Sequence, residues 1–165
     1  MKYIFFGTSE FAAAILRQLA QAGLAPIAVV TTPDRPVGRK KIVTGSPVKE
    51  LSLSSLAAVV LQPEKFDGEF IKKLKNLKAT AGILAAYGKI LSRDVINVFP
   101  KGIVVAHPSL LPQYRGATPI QSAILAGETE TGTTLFLMDE KVDHGPVLAS
   151  SRMSIANDDN YQSLV

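Results

Sequence analysis

The sequence predicts an α/β fold with a mostly parallel sheet and helices on both faces of that sheet. Short apolar runs alternate along the chain with amphipathic segments, as they do in successive βαβ units. Several of the apolar runs are almost continuously hydrophobic, which is typical of parallel strands buried on both sides. The length of 165 residues suits a single domain with a good core. Together these features indicate a Rossmann-like architecture.

The chain begins with a predicted strand and helix. KYIFFG is a short apolar run that ends in glycine, and TSEFAAAILRQLAQAG follows it. Ser9 is the expected cap of this helix, and Gly23 is the expected stop. The helical period predicts one apolar face, made of Phe11, Ile15, Leu19 and Ala22.

Two more strand-helix pairs follow. PIAVVTT predicts a buried strand, and Ser46 with Pro47 marks the start of a helix in SPVKEL. LAAVVL predicts the next strand. The segment DGEFIKKLKNL then predicts an amphipathic helix that turns Phe70, Ile71 and Leu74 inward.

The second half of the chain is richer in strands. TAGILAAYG and KGIVVAH read as buried strands, and TPIQSAILAGE predicts a helix with Pro119 in its first turn. Thr118 and Gln121 have the spacing of a capping box. TGTTLFLMDE and GPVLASSRMSI alternate more in hydrophobicity, so we expect later strands that pair antiparallel.

Composition limits the classes of function. The chain has no cysteine, which rules out disulfides and thiolate metal sites and fits a cytoplasmic protein. No apolar stretch is long enough to span a membrane, and YIFF is too short for a signal peptide. The net charge of +4 permits a polyanionic partner. The sequence leaves the oligomeric state open.

In open α/β sheets, ligands bind beyond the carboxyl ends of the strands. Among the residues expected there, His107 and Asp143 are candidates for an acid-base pair, because a carboxylate can fix the tautomer of an imidazole and raise its basicity. From the residues alone, a hydrogen-bonded structural role for His107 is the favoured alternative. His144 competes with His107, but its loop position favours solvation.

The first turn, FGTSEF, leads from strand to helix, so its backbone N–H groups could hold a phosphate or a carboxylate. It lacks the G-x-G-x-x-G fingerprint of dinucleotide sites. A tight structural turn is therefore the favoured interpretation.

Residues 33–49 form the basic cluster of the chain. Prolines and glycines predict a mobile loop there rather than an element. Its cations suit contacts to a phosphate backbone, and an ordinary solvated loop is an equal alternative. No aromatic residue is interleaved, so base stacking is not indicated. The cations of the cluster are Arg35, Arg39, Lys40, Lys41 and Lys49.

Taken in order, several segments resemble the N-terminal catalytic domain of the methionyl-tRNA formyltransferases, which belong to the folate-dependent formyltransferases. The segments are FFGTSEFA, PDRPVGR, SPVKEL, LQPEKF, AAYGKIL, HPSLLPQYRGATPIQ and ETGTTLFLMDEKVDHGPVL. The resemblance covers nearly the whole chain. It implies the formyltransferase fold for residues 1–165, as a catalytic domain shortened at its C-terminus and without the family's C-terminal β-barrel domain.

The resemblance also implies a reaction. A formyl group passes from 10-formyltetrahydrofolate to the amine of initiator methionyl-tRNA in translation initiation, and no metal is required. His107 matches the histidine that stabilises the tetrahedral intermediate and moves protons. Asp143 matches the aspartate that orients this histidine and assists removal of the amine proton.

The binding residues follow from the same resemblance. Segments that contact folate match the loop Met138–Val142 and the residues Ser109, Leu110, Leu111, Pro112, Ala86, Tyr87, Gly88 and Asp139. The tRNA acceptor end is expected to contact Arg35, Arg39, Lys40 and Lys41. Lys40 stands where the family usually has a glycine.

One position departs from the family. Val105 occupies the place of the asparagine whose amide donates to the developing oxyanion. Three hypotheses therefore stay open. The chain is a methionyl-tRNA formyltransferase domain with impaired activity, a non-catalytic relative that binds folate or tRNA, or a formyltransferase for a smaller amine such as an amino sugar. The basic loop argues against the third, and Val105 favours the second.

Overall fold

The computed structural model describes residues 1–165, the whole chain, as nine strands and five helices. The strands are β1 (Tyr3–Gly7), β2 (Ala28–Val30), β3 (Arg35–Val37), β4 (Ile42–Thr44), β5 (Val59–Leu61), β6 (Ala81–Ala85), β7 (Ile103–His107), β8 (Glu130–Leu137) and β9 (Val147–Ser154). The helices are α1 (Glu10–Gln21), α2 (Pro47–Ser55), α3 (Gly68–Asn76), α4 (Arg93–Ile96) and α5 (Pro119–Leu125).

Seven strands form one sheet in the order β5-β2-β1-β6-β7-β8-β9. Strand β1 pairs in parallel with β2 and β6, and β2 pairs in parallel with β5. Strand β8 runs antiparallel to both β7 and β9. The predicted α/β class, the mostly parallel sheet and the late antiparallel strands are confirmed. The chain divides into two compact units, Met1–Ile103 and Val104–Val165.

The first unit is built on fully buried strand residues. Every residue of β1 and β2 is buried, as their continuous hydrophobicity predicts. The ring of Phe6 packs edge-on against Tyr87 and Phe99, with centroid distances of 5.8 and 5.9 Å.

Helix α1 begins at the predicted cap but buries a different face. The Ser9 side chain accepts from the backbone N–H of Ala12, and the chain turns at Gly23, which has a φ of 75°. Of the predicted face, Phe11 is buried, Ile15 and Leu19 are half-buried, and Ala22 is exposed. The fully buried residues are Phe11, Ala12, Ala13 and Leu16. Small side chains explain this. A Cβ on Gly7 would lie 2.7 Å from that of Ala12, so the helix approaches β1 through glycine and alanine.

The predicted starts of α2 and α3 are confirmed. Ser46 caps α2 by accepting from the N–H of Lys49, with Pro47 in the first turn. Helix α3 buries Phe70 and Leu74, while Ile71 is half-buried.

Two local predictions are wrong. Within the basic cluster, β3 and β4 pair as an antiparallel hairpin, where we predicted a loop without an element. Two flanking β-branched residues, Val37 and Ile42, pair directly across it, a strand-forming combination that the glycines and prolines obscured. The capping box before α5 is also wrong, because the Thr118 side chain makes no capping hydrogen bond although α5 does begin at Pro119.

The second unit contains β8, β9, α5 and all of β7 except its first residue, Ile103. Strand β8 buries Thr131, Gly132, Thr134 and Phe136, whereas every residue of β9 is exposed. Gly132 is required by close packing, since a Cβ there would lie 2.1 Å from the carbonyl oxygen of Ser151. None of the helices is both long and apolar enough to cross a membrane.

Candidate active site

The candidate site is centred on His107, the last residue of β7. The imidazole is buried, and its Nε2 lies 2.9 Å from the carbonyl oxygen of Tyr114. A carbonyl oxygen can only accept, so Nε2 is the atom that carries the proton in this contact. In the neutral ring, Nδ1 is then unprotonated and can receive a proton.

Asp143 lies next to that free nitrogen. Its Oδ2 is 3.7 Å from Nδ1 of His107, and both side chains are largely shielded, with exposed fractions of 7% for His107 and 15% for Asp143. The same Oδ2 accepts the backbone N–H of Gly116 at 2.9 Å. Asp143 has a left-handed φ of 47°, a conformation that aspartate adopts more readily than most residues. The structure therefore brings together the two residues that the sequence proposed as a pair.

This arrangement can accept a proton and stabilise the resulting charge. When Nδ1 of His107 takes a proton, the ring becomes a cation with an acceptor on each side, the Tyr114 carbonyl and the Asp143 carboxylate. Charge-assisted contacts of this kind are stronger than neutral ones, and a shielded site strengthens them further. The pair is thus suited to general base and general acid catalysis.

Val105 lies on the same face of β7 as His107. Its side chain is buried, with 4% exposed, and it stands opposite Phe136 of β8, while His107 stands opposite Thr134. Residues i and i+2 of a strand share a face, so position 105 lies beside His107 on one side of β7. A valine there supplies packing but no hydrogen-bond donor.

The loop after His107 is held by hydrogen bonds from Thr134. Its Oγ1 donates to the carbonyl of Ser109 at 2.7 Å and accepts from the N–H of Leu111 at 3.1 Å. Ser109 itself donates to the carbonyl of Gln113 at 2.6 Å, and the Leu111–Pro112 peptide bond is cis. The segment Ser109–Pro112 is therefore an ordered turn. Thr134 was not a predicted site residue. The sequence feature that could have indicated it is a polar residue at a buried position of an alternating strand.

The loop after β8 contains a second acidic contact. Oδ2 of Asp139 lies 2.8 Å from Nδ1 of His144, and its Oδ1 accepts from the N–H of Lys141. The hydrogen bond from His144 is the main reason why the pKa of Asp139 lies below its usual value. His144, about half exposed, thus partners Asp139. No group of three or more His, Cys, Asp or Glu side chains could hold a metal ion.

The strand end at residues 86–88 is engaged by the first turn. The N–H of Thr8 donates to the carbonyl of Ala86, and its hydroxyl donates to that of Tyr87. Both donors of Thr8 are therefore used within the protein, which favours the structural interpretation of the FGTSEF turn. Ala86 and Gly88 both have positive φ, and the buried hydroxyl of Tyr87 has no hydrogen-bond partner. Burial raises the pKa of Tyr87 to about 12.

The basic cluster separates into paired and unpaired cations. Arg35 forms an ion pair with Glu64 at 2.5 Å, as does Lys49 with Asp34. The others, Arg39, Lys40 and Lys41, lie exposed in the turn between β3 and β4 and form no ion pair. We call these three residues the basic tip.

Comparison with known proteins assigns the family. The profile described as formyl transferase matches residues 1–165. The chain belongs to the formyl transferase family. It is 45% identical to the methionyl-tRNA formyltransferase of Caldanaerobacter subterraneus, over 99% of this chain and 53% of that protein. Identity to the Myxococcus xanthus methionyl-tRNA formyltransferase is 46%, over 99% and 52%. The chain thus spans about half the length of these curated relatives.

Solved structures of the family share the fold. Phosphoribosylglycinamide formyltransferase from Bacillus halodurans superposes with a TM-score of 0.76 at 24% identity, over 99% of this chain and 85% of that one. Glycinamide ribonucleotide transformylase 1 from Geobacillus kaustophilus gives 0.74 at 28%, over 99% and 88%. The family and the fold implied by the sequence resemblance are both confirmed.

Proposed function

We propose that the chain is a catalytic domain that transfers a formyl group from 10-formyltetrahydrofolate to the amine of initiator methionyl-tRNA in the cytoplasm. The observation that carries this proposal is the shielded His107–Asp143 pair in a chain of this family. An acyl transfer to an amine needs a group that takes a proton from the attacking nitrogen and returns one to the leaving nitrogen. The pair supplies such a group.

In the proposed reaction, the amine nitrogen bonds to the formyl carbon and the bond from that carbon to the donor nitrogen breaks. His107 receives the amine proton at Nδ1, and Asp143 stabilises the cation. The same proton then passes to the leaving nitrogen, so the ring ends in its starting state. The family's asparagine would donate to the oxygen that gains charge, and Val105 withholds that donor.

The donor fits the polar groups of the chain. A pterin ring offers N–H donors and a carbonyl acceptor. Asp139 presents a fixed, ionised carboxylate, and Tyr87 has an unpartnered buried hydroxyl. We propose folate contacts for the loop Met138–Val142 and for the turn of Ser109, Leu110, Leu111 and Pro112 and, separately, for residues 86–88.

The acceptor proposal depends on the basic tip. Arg39, Lys40 and Lys41 have no internal ion pair to break, so each is available to a phosphate. Arg35 is less available because it already pairs with Glu64.

A direct assay tests the function. The chain is incubated with 10-formyltetrahydrofolate and either charged initiator tRNA or glycinamide ribonucleotide, a smaller amine. We expect formyl-methionyl-tRNA, and a loss of about 10²–10⁴ in rate for His107→Ala. Transfer to the small amine alone would support the third hypothesis. Binding of a folate analogue without any transfer would support the second.

A second variant isolates the tRNA contact. Replacing all three residues of the basic tip by serine should raise the KM for tRNA and lower the salt slope of tRNA binding by about 2–3, since each lost phosphate contact lowers it by roughly 1. Affinity for the folate should not change. The matched control removes three exposed cations elsewhere, Lys65, Lys72 and Lys75. An equal effect of the control would mean that the basic tip contributes to tRNA binding only through its net charge.

A further inference from the structure

The turn Tyr114–Gly116 touches both members of the proposed catalytic pair through its backbone. The carbonyl of Tyr114 contacts Nε2 of His107, and the N–H of Gly116 donates to Oδ2 of Asp143, each at 2.9 Å. The turn therefore supplies a backbone acceptor to His107 and a backbone donor to Asp143. Neither contact uses a side chain of the turn.

The turn itself has an uncommon conformation. Tyr114 has a φ of 54° and Gly116 a φ of 103°. Glycine adopts such angles freely, but tyrosine does not, so other contacts must hold Tyr114 in place.

The side chain of Tyr114 supplies such a contact. Its hydroxyl donates to Oε1 of Glu128 at 2.5 Å. Glu128 is itself fixed just after α5, where its N–H donates to the carbonyl of Ala123. The hydrogen bond to Glu128 is the main reason why the pKa of Tyr114 is raised, so the phenol remains a donor.

We propose that Tyr114 and Glu128 are positioning residues for the His107–Asp143 pair: their side-chain hydrogen bond holds the turn whose carbonyl keeps the His107 proton on Nε2. The inference rests on the proposed function for its effect on rate, but its structural core is independent of any activity. Neither residue touches a substrate in this scheme, and both act through His107.

The chain suits a direct test by NMR, because it contains only two histidines. In a His144→Gln background, the imidazole nitrogen signals belong to His107 alone. We expect the Nε2–H tautomer in this background. Tyr114→Phe and Glu128→Ala should both reduce that preference, and combining them should add nothing. Glu128→Gln keeps an acceptor oxygen and should restore the original signals.

Kinetics provide the second readout. Tyr114→Phe and Glu128→Ala should each lower kcat by roughly 10-fold, which is part of the rate that a positioned proton-transfer group supplies. The KM for both substrates should stay unchanged, and the pH profile of the rate should be altered. The matched control is Tyr161→Phe, which removes a phenol hydroxyl elsewhere in the second unit and should change neither readout.

The two proposals fail separately. A chain without transferase activity would contradict the proposed function, and the NMR signals would still decide the positioning role. A proton on Nδ1 in the starting protein would overturn that role. So would an unchanged tautomer in Tyr114→Phe and Glu128→Ala when thermal melting shows both variants to be folded.

Discussion

Val105→Asn is the substitution that most directly probes the proposed chemistry. Position 105 shares a face of β7 with His107 and is 4% exposed, so an asparagine side chain there enters the same shielded surface. Its amide supplies the donor that the family resemblance implies for the oxyanion. We expect formyl transfer to become faster although the protein becomes less stable.

The two effects have opposite signs and similar sizes. One oxyanion donor is typically worth about 10²–10³ in rate, or roughly 3–4 kcal/mol of transition-state stabilisation. Replacing a buried valine removes apolar burial beside Phe136 and buries an amide without its substrate partner, at a cost of about 2–4 kcal/mol in unfolding free energy. At roughly 2–4 °C per kcal/mol, the Tm should fall by about 4–16 °C.

The assay compares single-turnover formyl transfer for the wild-type chain, Val105→Asn and Val104→Asn at a temperature well below both melting transitions. Val104→Asn is the matched control. It places the same amide one residue earlier, opposite Leu137 and on the other face of β7, where it cannot reach the surface beside His107. This control should show no gain in rate.

A folded Val105→Asn protein with unchanged transfer would refute the reasoning. It would mean either that position 105 does not border the developing oxyanion or that the transfer step does not limit the reaction. Equal gains in both variants would instead show that loosening β7, rather than a new donor, increases the rate.

Two further predictions concern stability. Gly132→Ala should lower the unfolding free energy by about 1–3 kcal/mol, because the new Cβ would collide with the backbone of Ser151. Gly68→Ala should be close to neutral, because a Cβ there has no atom within 4 Å. Thermal melting of the two variants measures the difference. The pKa of Asp34 lies below 3.8, chiefly because its carboxylate accepts from Lys49. The unfolded chain therefore binds that proton more readily, so this contribution to stability is complete above about pH 4 and is lost as pH falls through the folded pKa. Asp34→Asn should flatten the acid side of a urea-unfolding series, and an unchanged slope would contradict the contact.

The sequence predicted what depends on side-chain pattern. The caps at Ser9 and Ser46 and the carboxyl-end position of His107 all follow from residue type and spacing. The face of α1 did not follow, because hydrophobic periodicity weights large side chains, whereas this helix packs through Ala12 against Gly7. Close approach of two backbones favours small residues, which carry little signal in a hydrophobic pattern.

The backbone contacts that hold His107 and Asp143 could not be predicted from the sequence. The carbonyl of Tyr114 contacts the His107 ring and the N–H of Gly116 donates to Asp143, and almost every residue has both of these backbone groups. Only the turn geometry selects which carbonyl reaches the ring. The glycine at 116 was the single hint, since it permits the positive φ that the turn requires.

Position 105 shows that a residue can suit the fold without supplying the group that the proposed chemistry needs. Valine suits a buried strand opposite Phe136, so nothing in packing or in β propensity marks it as a departure. The same residue offers no hydrogen-bond donor on the face of β7 that it shares with His107. Under the proposed function, such a chain would keep the family's fold, His107 and Asp143 and still lose a large part of the rate. Packing would favour the valine, and only the demand for an oxyanion donor would favour asparagine.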